Sequence, residues 1–178
     1  MKVSIIYGTE TGFTKMVAED LALLFPVAEG WTTSVNCVDK ATPEMWRGDL
    51  VILGAPTWCE PRLDSYGEYS DDWNDSYETF SHIDFKDQKV ALFGLGDQVG
   101  YGNNFVDALG MMAEVVNNRG GEIIGKVSVR KYTFEKSEGI DGSGFKFWGL
   151  PIDEDNEPTH TPQRLITWVE QLKKEMNE

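Results

Sequence analysis

Cysteines are few in this sequence, and long hydrophobic runs are missing. The two cysteines are Cys37 and Cys59, and neither belongs to a cluster of Cys and His residues with metal-ligand spacing. A disulfide framework and a structural zinc site are therefore not supported. The apolar run at residues 50–53 soon meets Gly54 and Pro56, so we expect no membrane-spanning helix.

Basic residues are also scarce, because 16 Lys and Arg face 30 Asp and Glu, which gives a net charge of -14. Such a charge repels nucleic acid phosphates and anionic membranes, and it attracts proteins with a basic face. The apolar stretch at residues 3–7 ends at Gly8, before a signal-peptide core could form. We therefore expect a cytoplasmic protein whose partners are basic at their docking sites and include neither nucleic acid nor membrane.

The length and the apolar content indicate one folded domain. The chain has 178 residues, of which 40% are hydrophobic, and this is enough to bury a core around a parallel sheet. No internal repeat and no linker-like stretch divides the sequence. We predict a single domain over residues 1–178.

Short, almost continuous apolar runs predict a parallel sheet that helices cover on both faces. The runs lie at residues 3–7, 50–55 and 90–94, with a more alternating strand at 31–38 and a fifth strand at 122–129. Helical patterns separate them and present apolar faces. These faces are formed by Val17, Leu21 and Leu24, by Phe105, Leu109, Met112 and Val116, and by Leu165, Ile166, Val169 and Leu172. With Thr161 as the N-cap of the last helix, the pattern predicts a doubly wound α/β sandwich.

The loop after the first predicted strand has the composition of an anion site. After Gly8 its residues are Thr9, Glu10, Thr11, Gly12, Phe13 and Thr14. Hydroxyl and backbone N–H groups thus converge at a helix N-terminus, where the helix dipole favours negative charge. No Lys or Arg lies inside the loop, so a terminal phosphate monoester held by hydrogen bonds suits it. The alternative is an ordinary threonine-rich N-cap.

Other phosphate and metal motifs are absent or broken. The Gly-x-x-x-x-Gly-Lys-Ser/Thr spacing of a P-loop occurs nowhere. Val99 stands where a dinucleotide fingerprint beginning at Gly94 needs its third glycine. A calcium loop beginning at Asp153 fails, because Pro158 replaces the turn glycine and Arg164 replaces the bidentate Glu.

Three loops that follow predicted strands are expected to meet at one crevice, because the carboxyl ends of parallel strands share one edge of the sheet. The first is the loop at residues 9–14. The second contains Pro56, Thr57 and Trp58, and the third covers residues 94–101. A ligand that spans the three loops is the simplest interpretation.

Together these motifs resemble the flavodoxins over nearly the whole chain. The matching segments are Thr-x-Thr-Gly-x-Thr at 9–14, Pro-Thr-Trp at 56–58, Gly-Asp-Gln-Val-Gly-Tyr at 96–101 and Ile-Asp-Glu-Asp-Asn at 152–156. The stretch at 130–148 interrupts the last strand where long-chain flavodoxins carry an extra segment, so the chain resembles that subgroup. The resemblance implies a flavodoxin-like fold with a five-stranded sheet and one FMN bound without a covalent bond.

The resemblance also implies a role for each loop. Residues 9–14 bind the phosphate, Trp58 and Tyr101 sandwich the isoalloxazine ring, and Asp97, Asn104 and Asp155 lie near the polar edge of the ring or the ribityl chain. The further residues implied in FMN binding are Pro56, Thr57, Cys59, Glu60, Leu95 and Gly96. The pair Cys59 and Glu60 departs from the small or flexible pair usual in the family, and Pro61 restricts Glu60 to extended conformations.

The function implied by the resemblance is that of a low-potential one-electron carrier and not of an enzyme. It passes electrons from a reductase donor to an oxidoreductase acceptor, and we expect a monomer. The alternative is an FMN-dependent NAD(P)H or quinone reductase, and the fold alone does not decide between them. The acidic surface, the stacking on both flavin faces and the lack of an obvious general acid favour the carrier.

Overall fold

The structure is a computed structural model that describes residues 1–9, 11–56 and 72–178. Its α-helices are α1 (Phe13–Leu23), α2 (Asp72–Ser81), α3 (Ala108–Asn118) and α4 (Thr161–Glu175). Its strands are β1 (Lys2–Tyr7), β2 (Thr32–Cys37), β3 (Leu50–Ala55), β4 (Lys89–Leu95), β5 (Glu122–Ile124), β6 (Val127–Ser128), β7 (Lys146–Phe147) and β8 (Leu150–Ile152). Among the helices in these ranges, none is both long enough and apolar enough to cross a membrane.

The main sheet is parallel and has the order β2-β1-β3-β4, with β5 and β8 sharing the fifth position beside β4. At its centre Ile5 pairs with Val35 on one side and with Ile52 on the other. The order places β2 and β3 on opposite sides of β1. The strands after β2 are therefore added on the other side of β1. This arrangement confirms the predicted doubly wound α/β sandwich.

The fifth strand is interrupted, and the interruption is wider than predicted. β5 pairs with the start of β4 and β8 pairs with its end, while residues 125–149 leave the sheet. The prediction that the strand continues to residue 129 was wrong, because Gly125 takes a left-handed conformation with φ 76° and turns the chain away. Within the segment, β6 and β7 form a small antiparallel pair. We call residues 125–149 the insertion.

Two hydrophobic clusters pack on the two faces of the sheet. One contains Val17 and Leu21 of α1 and Leu165 and Trp168 of α4. The other contains residues of α2 and α3 together with Phe147 of the insertion. β3 is buried along its whole length, as expected for a central strand covered on both sides.

Three details differ from the sequence-based expectation. Helical patterns were expected between the strands, but the connection from β2 to β3 holds two 3₁₀ helices, Val38–Lys40 and Pro43–Trp46. Thr161 is the first residue of α4 and not its N-cap, because the 3₁₀ helix Pro158–His160 leads into it. Ile166 is 41% exposed, since it follows Leu165 by one residue, about 100° around the helix from the buried face.

Candidate functional site

The carboxyl ends of the central strands form the crevice that the sequence predicted. The loops that leave β1 and β4 are anchored there, because Gly8 N donates to Gly54 O at 3.0 Å and Gly96 N donates to Ile152 O at 2.9 Å. A pocket of about 210 Å³ opens between the loops. Its described lining residues are Thr11, Phe13, Thr14, Pro56, Leu95, Gly96, Asp97, Tyr101, Glu154 and Asp155. A larger cavity lies elsewhere, but it does not lie at the strand ends.

The loop after β1 directs a bare helix N-terminus at this pocket. Gly12 has φ 94°, and its N–H donates to the hydroxyl of Thr9 at 2.9 Å. α1 then begins at Phe13 without a capping side chain. The backbone N–H groups of its first turn have no partner within the helix, which is the arrangement that binds phosphate. Thr14, in this turn, is 1% exposed and lines the pocket.

The loop after β4 approaches closely packed side chains. A Cβ at Gly96 would lie 2.8 Å from atoms of both Phe105 and Val106, so a larger residue does not fit there. Val106 itself has φ 49°, an unusual conformation for a β-branched residue. Close packing against Phe105 and Val106 therefore fixes the position of Gly96 in this loop.

Asp97 organises the turn that follows. Its Oδ1 accepts hydrogen bonds from Val99 N at 2.9 Å, from Gly100 N at 2.6 Å and from Asn156 Nδ2 at 2.8 Å. These bonds, the one from Gly100 above all, hold the pKa of Asp97 below its usual value. The carbonyl of Asp97 accepts a hydrogen bond from Tyr101 N at 2.9 Å, which fixes the backbone position of Tyr101. Tyr101 itself is 51% exposed.

An acidic segment after β8 forms the opposite wall. Asp153 is fully buried and accepts from Gln98 N at 3.1 Å and from both the backbone and the side-chain nitrogen of Asn156. Burial raises the pKa of Asp155, and the charges of Asp97 and Asp153 raise it further. The described pocket lining contains three carboxylates and neither Lys nor Arg. The pocket edge is therefore strongly negative.

The insertion supports the loop that carries Asp97 and Tyr101. Thr133 N donates to Gln98 Oε1 at 2.7 Å, and the N–H groups of Glu135 and Lys136 both donate to Gly102 O, at 2.8 and 2.9 Å. Rings of the insertion pack on Phe105, with centroid distances of 5.7 Å to Tyr132, 5.6 Å to Phe134 and 5.9 Å to Phe147. The segment thus braces one wall of the crevice from outside.

Nine of the residues predicted to bind the cofactor line the pocket. They are Thr11, Phe13, Thr14, Pro56, Leu95, Gly96, Asp97, Tyr101 and Asp155. Thr9 and Gly12 shape the loop behind them. Asn104 lies outside the lining, and its amide donates to Asp107 Oδ2 at 3.0 Å. Glu10, Thr57, Trp58, Cys59 and Glu60 lie outside the described residues.

Three residues with a part in the site were missing from the predicted set. Asp72 accepts from Thr9 N at 3.0 Å across 63 positions of sequence, a contact that no local pattern indicates. Glu154 lines the pocket and accepts from the hydroxyl of Thr161. Asn156 bridges Asp97 and Asp153. Asn156 follows Asp155 in the acidic motif, so its proximity to the site was available from the sequence, whereas its bridging contact was not.

Cys37 ends β2 near this loop and is a protonated thiol. Its Sγ lies 3.1 Å from Asp72 Oδ2. Burial, with hydrogen bonds to Asp39 and Asp72, raises the pKa of Cys37 to about 12. A reactive thiol needs a lowered pKa, so a redox role for Cys37 has no support.

Sequence comparison finds close relatives along the whole chain. A family profile described as flavodoxin matches residues 5–168. Flavodoxin from Synechococcus elongatus is 37% identical over 177 residues, covering 98% of this chain and 97% of the relative. Flavodoxin 1 from Salmonella typhimurium is 38% identical over 176 residues, covering 97% and 93%.

Structure comparison leads to the same group. The crystal structure of Fusobacterium nucleatum flavodoxin bound to flavin mononucleotide superposes with a TM-score of 0.82 at 28% identity and covers 98% of each chain. The profile match and the two relatives, each aligned over nearly the full length, show that this chain belongs to the flavodoxin family.

Proposed function

We propose that the chain is a low-potential one-electron carrier that binds one FMN without a covalent bond. The observation that carries the proposal is the crevice at the strand ends, where a bare helix N-terminus, a half-exposed tyrosine and an acidic wall meet in a member of the flavodoxin family. FMN supplies a ring that accepts and releases electrons one at a time. The protein's work is to bind the ring, orient it and set its potentials.

The residues of the crevice fit the parts of FMN. Thr11, Thr14 and the first N–H groups of α1 suit a phosphate, because they offer donors without a cation. Tyr101 offers an aromatic surface to a flat ring, and we propose Trp58 as its counterpart on the other face. Asp97, Asn104 and Asp155 are proposed at the polar edge of the ring or along the ribityl chain. Backbone groups at Pro56, Thr57, Cys59 and Glu60 are proposed to complete the site.

The acidic wall gives a physical reason for a low potential. Asp97, Glu154 and Asp155 line the pocket, and the chain as a whole carries a charge of -14. Each carboxylate opposes the negative charge that reduction adds, since like charges repel strongly where water is partly excluded. A ring held here is therefore harder to reduce than the same ring in water.

The negative charge of the chain also indicates which kind of partner it binds. We propose that they are redox proteins with basic docking faces, a reductase as donor and an oxidoreductase as acceptor, because opposite charges steer encounter. Val99, which is 76% exposed, and Tyr101 lie on adjoining parts of the turn beside the pocket and suit a contact surface for such partners. We propose a monomer that acts in the cytoplasm.

Anaerobic reduction of the FMN-loaded protein tests the proposal. NADPH alone is expected to leave the flavin absorbance unchanged, whereas NADPH with a catalytic amount of an NADPH-dependent flavoprotein reductase is expected to bleach it. Steady NADPH oxidation by the protein alone would support the FMN-dependent reductase, an alternative that membership of the flavodoxin family does not favour.

A further inference from the structure

Gln98 is a buried polar residue in the turn that follows β4, between Asp97 and Val99. It is only 8% exposed, and it does not belong to the described lining of the crevice. Polar side chains are seldom buried unless their polar atoms are hydrogen-bonded, because an unpaired group is unfavourable there. The contacts of Gln98 therefore show which parts of the chain it holds together.

The side-chain amide of Gln98 joins two segments that are distant in sequence. Its Oε1 accepts a hydrogen bond from Thr133 N, in the insertion, at 2.7 Å. Its other partner is Glu157, where burial opposes the negative charge but hydrogen bonds from Arg164 and Gln98 outweigh it and lower the pKa. A carboxylate only accepts hydrogen bonds, so the nitrogen of the Gln98 amide serves Glu157 while the oxygen serves Thr133.

The backbone of Gln98 adds a third link, to the acidic wall. Gln98 N donates to Asp153 Oδ2 at 3.1 Å, and Asp153 is fully buried directly after β8. Asp153 also accepts from Asn156 Nδ2, which in turn donates to Asp97 Oδ1 at 2.8 Å. A displacement of Gln98 therefore disturbs the contacts that hold Asp97 at the edge of the crevice.

The turn extends the position of Gln98 to the aromatic residue of the crevice. The backbone N–H groups of residues 99–101 all donate to Asp97, at 2.6–2.9 Å. These bonds join the turn into one unit. Gln98 therefore also fixes Tyr101, which lines the crevice.

We infer that Gln98 is a positioning residue for the flavin ring. Its contacts with the insertion and with the segment after β8 hold the turn where Asp97 and Tyr101 meet a ring bound in the crevice. This role rests on the proposed function, because it concerns the same FMN site. It assigns part of the affinity for the ring, and of its potential, to a buried residue behind the crevice lining.

Gln88 is a matched control within the same chain. It is 5% exposed and directly precedes β4, whereas Gln98 follows it, so the two lie at opposite ends of this strand. Its Nε2 donates to Gly48 O at 2.7 Å, and its Oε1 accepts from Gly48 N at 3.3 Å. Both glutamines thus hold a second segment through their amide atoms, but only Gln98 lies near the crevice.

Substitution by methionine keeps the length of each side chain and removes its amide. Gln98→Met and Gln88→Met should therefore both lower the melting temperature of the FMN-free protein. Gln98→Met alone should raise flavin fluorescence and the potential of the second one-electron reduction, because a displaced turn moves Tyr101 and the carboxylate of Asp97 away from the ring. It should weaken FMN and riboflavin by the same factor, at least about threefold, since the loop after β1 is untouched.

Amide hydrogen exchange of the parent protein provides a measurement that needs no variant, and it decides the matter if Gln98→Met does not fold. Coupling between two sites is reciprocal, so FMN binding should slow exchange of the Thr133 amide more than exchange of the Gly48 amide. Parental fluorescence and potential in Gln98→Met, equal flavin effects in both variants, or equal slowing of the two amides would each overturn the proposal. A parent chain that binds no FMN would instead overturn the proposed function, and this role with it.

Discussion

Tyr101 leaves half of its side chain exposed beside the crevice, although an aromatic ring gains by burial. We therefore predict that Tyr101→Ala weakens FMN binding at least about threefold, because a stacked pair contributes about 0.5–1.5 kcal/mol beyond the area that it buries. The same change should raise flavin fluorescence, since stacking quenches the excited ring. Fluorescence titration measures both effects.

The matched control is Tyr77→Ala. Tyr77 is 44% exposed, like Tyr101, but it lies on α2 and outside the pocket lining. Its loss should leave FMN affinity unchanged. Equal behaviour of the two variants would show that Tyr101 does not contact the ring.

The pKa values of Asp155 and Asp97 are shifted in opposite directions, so we predict that the two carboxylates affect the pH dependence of stability in opposite ways. The pKa of Asp155 is raised by burial and by the charges of Asp97 and Asp153, so its ionisation destabilises the fold. That penalty is absent below the ordinary value of 3.8 and complete above the raised pKa. Asp155→Asn should therefore raise the melting temperature of the FMN-free protein at pH 7 and leave it unchanged at pH 3.

Asp97→Asn should change the melting temperature at pH 7 in the opposite direction to Asp155→Asn. Hydrogen bonds, first of all from Gly100, lower the pKa of Asp97, so its charge stabilises the fold above 3.8 and this stabilisation is lost as the pH falls through the lowered pKa. The variant should melt at a lower temperature than the parent at pH 7, and the difference should shrink in acid. If the two variants shift in the same direction at pH 7, the electrostatic account of this wall is wrong.

At this scale the sequence indicated residue types better than it indicated contacts. Thr11, Thr14, Asp97 and Tyr101 were predictable because they follow strands whose ends share one edge of the sheet. The bond from Thr9 N to Asp72 was not predictable, because it joins the loop after β1 to the first residue of α2 across 63 positions. Asn104 does not line the pocket, and its amide donates to Asp107, a local contact that residue type alone does not reveal.

At the scale of elements, the entry to α1 depends on Gly12. Its φ of 94° is accessible to glycine and strained for any residue with a Cβ, although no neighbouring atom of the described residues lies within 4 Å of where that Cβ would be. Gly12→Ala should thus lower stability by about 1 kcal/mol through the backbone alone. For a chain of this size, that corresponds to a fall of about 2–4 °C in melting temperature.

Gly142→Ala is the control for Gly12→Ala. Gly142 also has open space around the missing Cβ, but its φ lies outside the left-handed region. Its replacement should leave the melting temperature unchanged, and calorimetry of both variants gives the comparison. An equal loss in both would show that backbone conformation is not the cause.

The central strands were predictable because each is a short apolar run, and Leu50–Ala55 lies where the pattern placed it. The fifth strand was only partly predictable. Residues 127–129 carry the same apolar signal as a strand, but Gly125 turns the chain out of the sheet before they are reached. Such a turn depends on packing against Trp168 and Leu172 of α4, the side chains that a Cβ at Gly125 would meet.

For the whole molecule, we propose that the net charge of -14 affects both the potential of the bound flavin and the choice of redox partners. A carboxylate about 10 Å from the flavin, at an effective dielectric constant of about 20, opposes an added electron by about 1.7 kcal/mol. This is about 70 mV for one electron, at about 59 mV per tenfold change. Glu154→Gln together with Asp155→Asn should therefore raise the potential of the second one-electron reduction, as measured by anaerobic potentiometry.

Electron transfer to a basic partner should slow as salt increases. Opposite charges steer encounter, and the screening length falls from about 10 Å at 0.1 M to about 3 Å at 1 M ionic strength. Stopped-flow rates over this range provide the measurement. Rates that do not change with salt, together with unchanged potentials in the double variant, would mean that the acidity does not serve electron transfer.

Titration of the FMN-free chain with FMN and with riboflavin tests most directly whether the loop after β1 holds the phosphate of a bound flavin. We predict one FMN per chain and riboflavin binding weaker by at least about a hundredfold, because two charge-assisted hydrogen bonds of about 1.5 kcal/mol each account for that factor. Thr11→Val should weaken the binding of FMN but not of riboflavin, and so reduce the difference between the two affinities. Equal affinity for FMN and riboflavin would contradict the account.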